Sequence, residues 1–345
     1  MLGGHACRWY IPVVSQASGA ACLAGWMMRV RSGIQGTSMK FFQIFCAVLL
    51  VGLMAAQASA ETDFDRCTGD DGYDIDKKIA ACTLAISGGK LDQTNLGAAY
   101  SKRAAARASR KDLDGAIADF GEVIRLFPDL ASAYLGRGDI YYSQKKFGDA
   151  VRDYADAVRL RPDWIMALKY LGDAHDENGE PAKAIAAYQR ALKLDRNFAD
   201  VHFDLGVVYR KMGNFKKAAA SFTRTIRLMT DHAGAFNGRC VTYAQMGKLK
   251  TAISDCNRAI DLNSRISAYW EARAIVRQRM GDLRLALDDY SRALQLDPKN
   301  ANALYGRGSV RLATGDKTGA EADKAAAMKL NPKVADVMAS LGIKA

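Results

Sequence analysis

Beyond residue 60, the side chains able to do chemistry are three histidines, four cysteines and a recurring arginine–aspartate pair. His175 and His202 could act as metal ligands or proton carriers if the fold joined them. Neither has a nearby Cys, and no H-E-x-x-H occurs. No G-x-S-x-G is present, and Gly315-Asp316-Lys317-Thr318 lacks the spacing of a phosphate-binding loop. Gly306-Arg307-Gly308 begins like a dinucleotide fingerprint, but no strand precedes it. Adjacent acids such as Asp288-Asp289 fall on helical stripes. These residues predict no enzyme, no cofactor and no metal site. An enzyme or enzyme subunit of cell-envelope polymer processing is the alternative, resting on the N-terminal unit or on His175 and His202. The cysteines Cys67, Cys82, Cys240 and Cys256 allow three pairings.

The elements that must hold these residues follow from composition and period. The chain has 345 residues, 49% hydrophobic, with a net charge of +12 and only 6 prolines. That is a globular, helix-leaning composition. Residues 1–60 contain no Asp or Glu. Lys40 precedes an apolar run from Phe41 to Met54, and Ala58-Ser59-Ala60 follows. A basic start, a short apolar stretch and an A-x-A site predict a secretory signal over 39–60, cleaved after Ala60. The run is too short for a membrane span, which needs roughly 20 residues; an uncleaved anchor is the rival reading. Residues 1–38 fit poorly ahead of such a signal and read as an extension from a start codon placed too early, or as an organellar transit peptide. The remaining 285 residues carry +8 and are expected to be periplasmic or secreted, with no stable membrane span. Without a basic run or stacking motif, nucleic acid is not an expected partner.

Residues 97–334 divide into seven windows of 34 without an insertion: 97–130, 131–164, 165–198, 199–232, 233–266, 267–300 and 301–334. One column reads Ala104, Gly138, Gly172, Gly206, Cys240, Ala274, Gly308; another is alanine throughout, from Ala116 to Ala320. A third, Phe120, Tyr154, Tyr188, Phe222, Cys256, Tyr290, is aromatic in five windows and ends as Lys324. Each window holds two apolar stripes at helical spacing, parted by turns such as Gly213-Asn214 or Gly247-Lys248. Pro128, Pro162, Pro298 and Pro332 close several windows. This pattern resembles the tetratricopeptide repeat family. The resemblance implies an all-α, right-handed superhelical solenoid of helix–turn–helix repeats with a concave, ligand-binding inner face. Residues 61–96 read as a degenerate N-terminal capping unit and 335–345 as a C-terminal capping helix, as the ends of a solenoid require.

Within that fold, Arg and Asp recur sixteen residues apart in five repeats, as Arg103/Asp119, Arg137/Asp153, Arg239/Asp255, Arg273/Asp289 and Arg307/Asp323. The other two repeats carry Leu171/Ala187 and Leu205/Ser221. The pair is kept or lost together, which predicts partly buried bridges between facing helices rather than an arginine-lined groove. Local cysteine pairing, Cys67–Cys82 and Cys240–Cys256, needs no long excursion in such a fold, and a Cys pair ahead of the first repeat is what exported bacterial proteins of this kind look like. Groove residues are expected on the first helix of each repeat: Lys169, Phe203, Val207, Asn237, Val241, Ile275 and Tyr305. Some relatives clamp a C-terminal carboxylate with Lys and Asn in these columns; only Lys169 fits, so that clamp is not expected. The expected function is a scaffold that binds a protein or an extended peptide segment in its groove.

Overall fold

The computed structural model describes residues 63–69 and 74–343. The expected leader, residues 39–60, and its upstream extension, residues 1–38, lie outside them. Every regular element among the described residues is a helix. A short α1 (63–68) and α2 (Ile75–Ser87) come first. Seven antiparallel pairs follow. The first three are α3 (Gln93–Ser109) with α4 (Leu113–Leu126), α5 (Ala131–Ser143) with α6 (Phe147–Leu160), and α7 (Ile165–Glu177) with α8 (Pro181–Leu194). Next come α9 (Ala199–Lys211) with α10 (Phe215–Leu228) and α11 (Ala233–Gln245) with α12 (Leu249–Leu262). The last are α13 (Ser267–Met280) with α14 (Leu283–Leu296) and α15 (Ala301–Ala313) with α16 (Lys317–Leu330). A short α17 (Val334–Ser340) ends the array.

From α5 onward, the first helix of each pair begins on the first residue of its 34-residue window. The opening pair differs, because α3 starts at Gln93, upstream of Gly97. Asp92 causes this by accepting the Asn95 backbone N–H and so capping an earlier turn. Asp112, Asn214 and Asp316 cap second helices in the same way. Between the helices of a pair the chain reverses through one left-handed residue. Glycine takes that place in five repeats, from Gly179 to Gly315, but Lys111 (φ 65°) and Lys145 (φ 58°) take it in the first two. A side chain there works against the β-carbon clash that normally reserves this region for glycine.

Close approach within a pair comes from the small column. A β-carbon on Gly172 would lie 2.4 Å from the Tyr188 ring, and one on Gly206 would lie 2.7 Å from Phe222. The second-helix aromatic therefore fills the space that the first-helix glycine leaves open. Ala116, Ala150, Ala184, Ala218, Ala252 and Ala286 are all fully buried where consecutive helices meet. The core thus runs along the stack as a series of apolar clusters, with each second helix resting on the next first helix.

The arginine–aspartate columns meet across every pair that has them. Arg137 grips Asp153 through Nε and Nη2, both at 2.8 Å, and Arg239 grips Asp255 through the same two nitrogens, both at 2.7 Å. Asp119, Asp289 and Asp323 each hold two guanidiniums, because Arg107, Arg277 and Arg311 reach them from one turn further along. All five aspartates are buried. Cys67 is joined to Cys82 and Cys240 to Cys256 as disulfides, the second inside one repeat between α11 and α12.

The last element departs from the stacking rule. Each new first helix rests chiefly on the second helix of the preceding pair, whereas α17 rests chiefly on α15. It therefore folds toward the inner face. No helix among the described residues is long and apolar enough to cross a membrane.

Candidate functional site

The inner face is built from the first helices of the pairs, and its two halves differ in charge. Around α5, α7 and α9 it is acidic. Asp139 accepts the Tyr154 hydroxyl at 2.8 Å, and Asp173 accepts the Tyr188 hydroxyl at 2.7 Å. Burial pushes the Asp139 carboxyl up to about 6, against the opposing effect of the Tyr154 hydrogen bond. Burial and the neighbouring Asp173 charge push Asp204 up to about 6 as well. Lys169 sits between these carboxylates, 2.8 Å from Asp173 and 3.0 Å from Asp204. Burial works against its charge, but the two carboxylates outweigh it and raise its pKa. Asp176 is taken by Lys211 of the next repeat at 2.8 Å.

Toward the C-terminal end the acidity gives way to a cleft of about 340 Å³. First helices α9, α11, α13 and α15 line it, and the inward-leaning α17 walls one end with Val337, Ser340 and Leu341. Val241 and Ile275 give its apolar floor; Arg210, Asn237, Gln245, Glu271 and Arg279 give its polar part. Glu271 is held by amides alone, accepting from Asn300 Nδ2 at 2.8 Å and Asn302 Nδ2 at 3.1 Å, and burial raises its pKa. Arg210 Nε, Asn237 Oδ1 and Gln245 Oε1 are buried without a hydrogen-bond partner. Such orphaned atoms are costly in a folded chain and usually have a reason.

Of the expected groove residues, Asn237, Val241 and Ile275 come together in this cleft, Ile275 as floor at 5% exposure. Tyr305 does not line it. It is buried at 4% exposure in one apolar cluster with Val334, Met338 and Ile343, because α17 covers the inner side of the last repeat. Phe203 is half-buried between the Phe222 and His232 rings, at 5.7 and 4.9 Å, and Val207 packs beside it. Lys169 is committed to its two carboxylates rather than free for a partner. Arg210, Gln245 and Arg279 lie on the same faces one turn further along and were not among the expected residues. Helical spacing carried the signal, since Gln245 follows Val241 and Arg279 follows Ile275 by four.

His175 is engaged within its own repeat and His202 by the end of the preceding one. His175 Nδ1 lies 2.6 Å from Glu180 Oε2, and His202 Nε2 lies 3.0 Å from the Arg196 carbonyl. Among the described residues, no group of three or more His, Cys, Asp or Glu side chains could hold a metal ion.

Comparison with known proteins bears on this architecture. A family model described as TPR repeat matches residues 172–213 and 279–315. Two described as Tetratricopeptide repeat match residues 102–163 and 199–232. No curated protein matches significantly in sequence. Among solved structures, a tetratricopeptide repeat protein from Parabacteroides merdae is 20% identical with a TM-score of 0.60, covering 70% of this chain and 97% of its own. The Cut9-Hcn1 hetero-tetramer of APC/C is 18% identical with a TM-score of 0.57, covering 83% of this chain and 55% of its own. MamA protein is 26% identical over 49% of this chain and 92% of its own, with a TM-score of 0.46. The first two likenesses show the fold, an all-α superhelix of stacked helix pairs. Repeat period, helix pairing and family match agree, and the chain belongs to the tetratricopeptide repeat family.

Proposed function

We propose that this chain is an exported, non-enzymatic scaffold that binds an extended segment of a partner protein along its inner face. The observation that carries the reading is the cleft between α9, α11 and α13. An apolar floor is combined there with two side-chain amides and the Arg210 guanidinium, whose hydrogen-bonding capacity the fold leaves partly unused. An extended backbone offers alternating N–H and C=O groups, which suits amides such as Asn237 and Gln245 that both donate and accept. Stacked pairs with buried bridges hold the cleft ready, so most of the ordering cost falls on the partner's segment. The acid-free leader with its A-x-A site supports export to the periplasm or beyond.

A photo-crosslinking residue at Val241, compared with one at the outward-facing Lys250, tests this in the native host. Adducts with discrete proteins at position 241 and none at 250 are expected. Adducts at 250 alone would overturn the groove assignment. Sequencing the N-terminus of the purified chain tests export; a first residue far from Glu61 would refute the cleavage site.

A further inference from the structure

Two guanidiniums face the cleft, and neither has a carboxylate. Arg210 makes no hydrogen bond or ion pair, its Nε is buried, and burial alone lowers its pKa. Arg279 donates from Nη1 to the Ala244 carbonyl at 2.6 Å, with no acidic side chain in reach. The one acid in the cleft, Glu271, is satisfied by Asn300 and Asn302 instead. Other first-helix arginines behave differently: Arg103, Arg107, Arg137, Arg239, Arg273, Arg277, Arg307 and Arg311 each grip an aspartate of the facing second helix. Leaving two guanidiniums half-buried and unpaired beside orphaned amides costs stability that a bound anion would return.

We propose that the cleft takes an acidic side chain, Asp or Glu, from the bound segment. Arg210 forms the main ion pair, Arg279 flanks it, and Asn237 and Gln245 hold the adjoining backbone. The inference rests on the groove reading above and adds the chemical identity of the residue recognised. A planar guanidinium suits a carboxylate, with two parallel N–H donors for two oxygens. The carboxylate half of the same face, around Asp139, Asp173 and Asp204, disfavours an acidic side chain there. The charge pattern therefore fixes where along the groove the acid belongs.

The test uses fluorescein-labelled nonapeptide pools that differ only at the central residue, fixed as Glu, Gln, Lys or Leu within mixed Ala, Ser, Leu and Gly. Binding to the purified full chain is read by anisotropy. The Glu pool should bind about tenfold tighter than the Gln pool, a difference of about 1.4 kcal/mol. Arg210→Met should erase that preference, so that the Glu and Gln pools bind alike, and Arg210→Glu should shift the preference to the Lys pool. Circular dichroism establishes that both variants fold. Equal binding of Glu and Gln pools, or a Glu preference that survives Arg210→Met, overturns the acidic assignment and leaves the groove reading standing. Binding of no pool overturns both.

Discussion

Removal of the Asp289 carboxylate tests the energetic role of the repeated bridges most sharply. Asp289 is 3% exposed in its side chain and accepts from Arg273 Nε at 2.9 Å, Arg273 Nη2 at 2.8 Å and Arg277 Nη1 at 2.7 Å. The two guanidiniums are 14% and 19% exposed. Asp289→Ala would strand both in poorly hydrated sites between α13 and α14. Breaking a buried pair costs roughly 3–5 kcal/mol, and the residual arginine exposure places this site near the lower end, about 3 kcal/mol. For a chain of this size that corresponds to a fall in melting temperature of roughly 4–5 °C. The control is Asp156→Ala, which removes the surface pair with Arg159. Its side chains are 41% and 63% exposed, and the expected loss is below about 0.5 kcal/mol. Thermal and urea unfolding by circular dichroism measure both. Equal shifts for the two variants would refute the claim that burial makes the column matter. Replacing the whole set with apolar residues of similar volume should recover most of the loss, because the cost lies in the unpaired charges.

Two further outcomes follow from the packing and the titrations. Asp139 is raised to about 6 in the folded chain and is ordinary when unfolded, so between those values the native state binds the extra proton. Stability contributed by that site is therefore full at low pH and falls as pH rises toward 6. Asp139→Asn keeps an acceptor for Tyr154 and should raise the urea midpoint at pH 7.5 by an amount that vanishes at pH 4; an equal gain at both would refute the shift. Gly172→Ala places a β-carbon 2.4 Å from the Tyr188 ring and should cost about 1–3 kcal/mol in a thermal melt. An unchanged melt would show that the ring moves aside freely.

Much of this molecule was legible in its sequence because a 34-residue period fixes both register and neighbours. The small and aromatic columns that meet as Gly172–Tyr188 and Gly206–Phe222 are visible in the sequence, while their meeting inside one pair is seen only in the structure. Periodicity misleads where a repeat has no ordinary neighbour. Tyr305 belongs to a groove column, yet α17 leans inward and buries it. Lys169 looked available because its partners lie on the same helix and on the next repeat, as Asp173 and Asp204, and column reasoning compares like positions rather than unlike ones. Arg210, Gln245 and Arg279 lie one turn beyond Val207, Val241 and Ile275, where a polar side chain near a helix end reads from sequence as an ordinary solvent-facing residue.

The absence of the ionic set from α7–α8 and α9–α10 has a consequence for how the array yields. Leu171, at 7% exposure, and Leu205, at 5%, stand where the other repeats place arginine. A paired carboxylate holds its bridge only while it is ionised, whereas the contacts of Leu171 and Leu205 carry no charge to titrate. Acid strong enough to protonate the aspartates should therefore release the outer pairs and leave the middle of the stack, next to the cleft, standing.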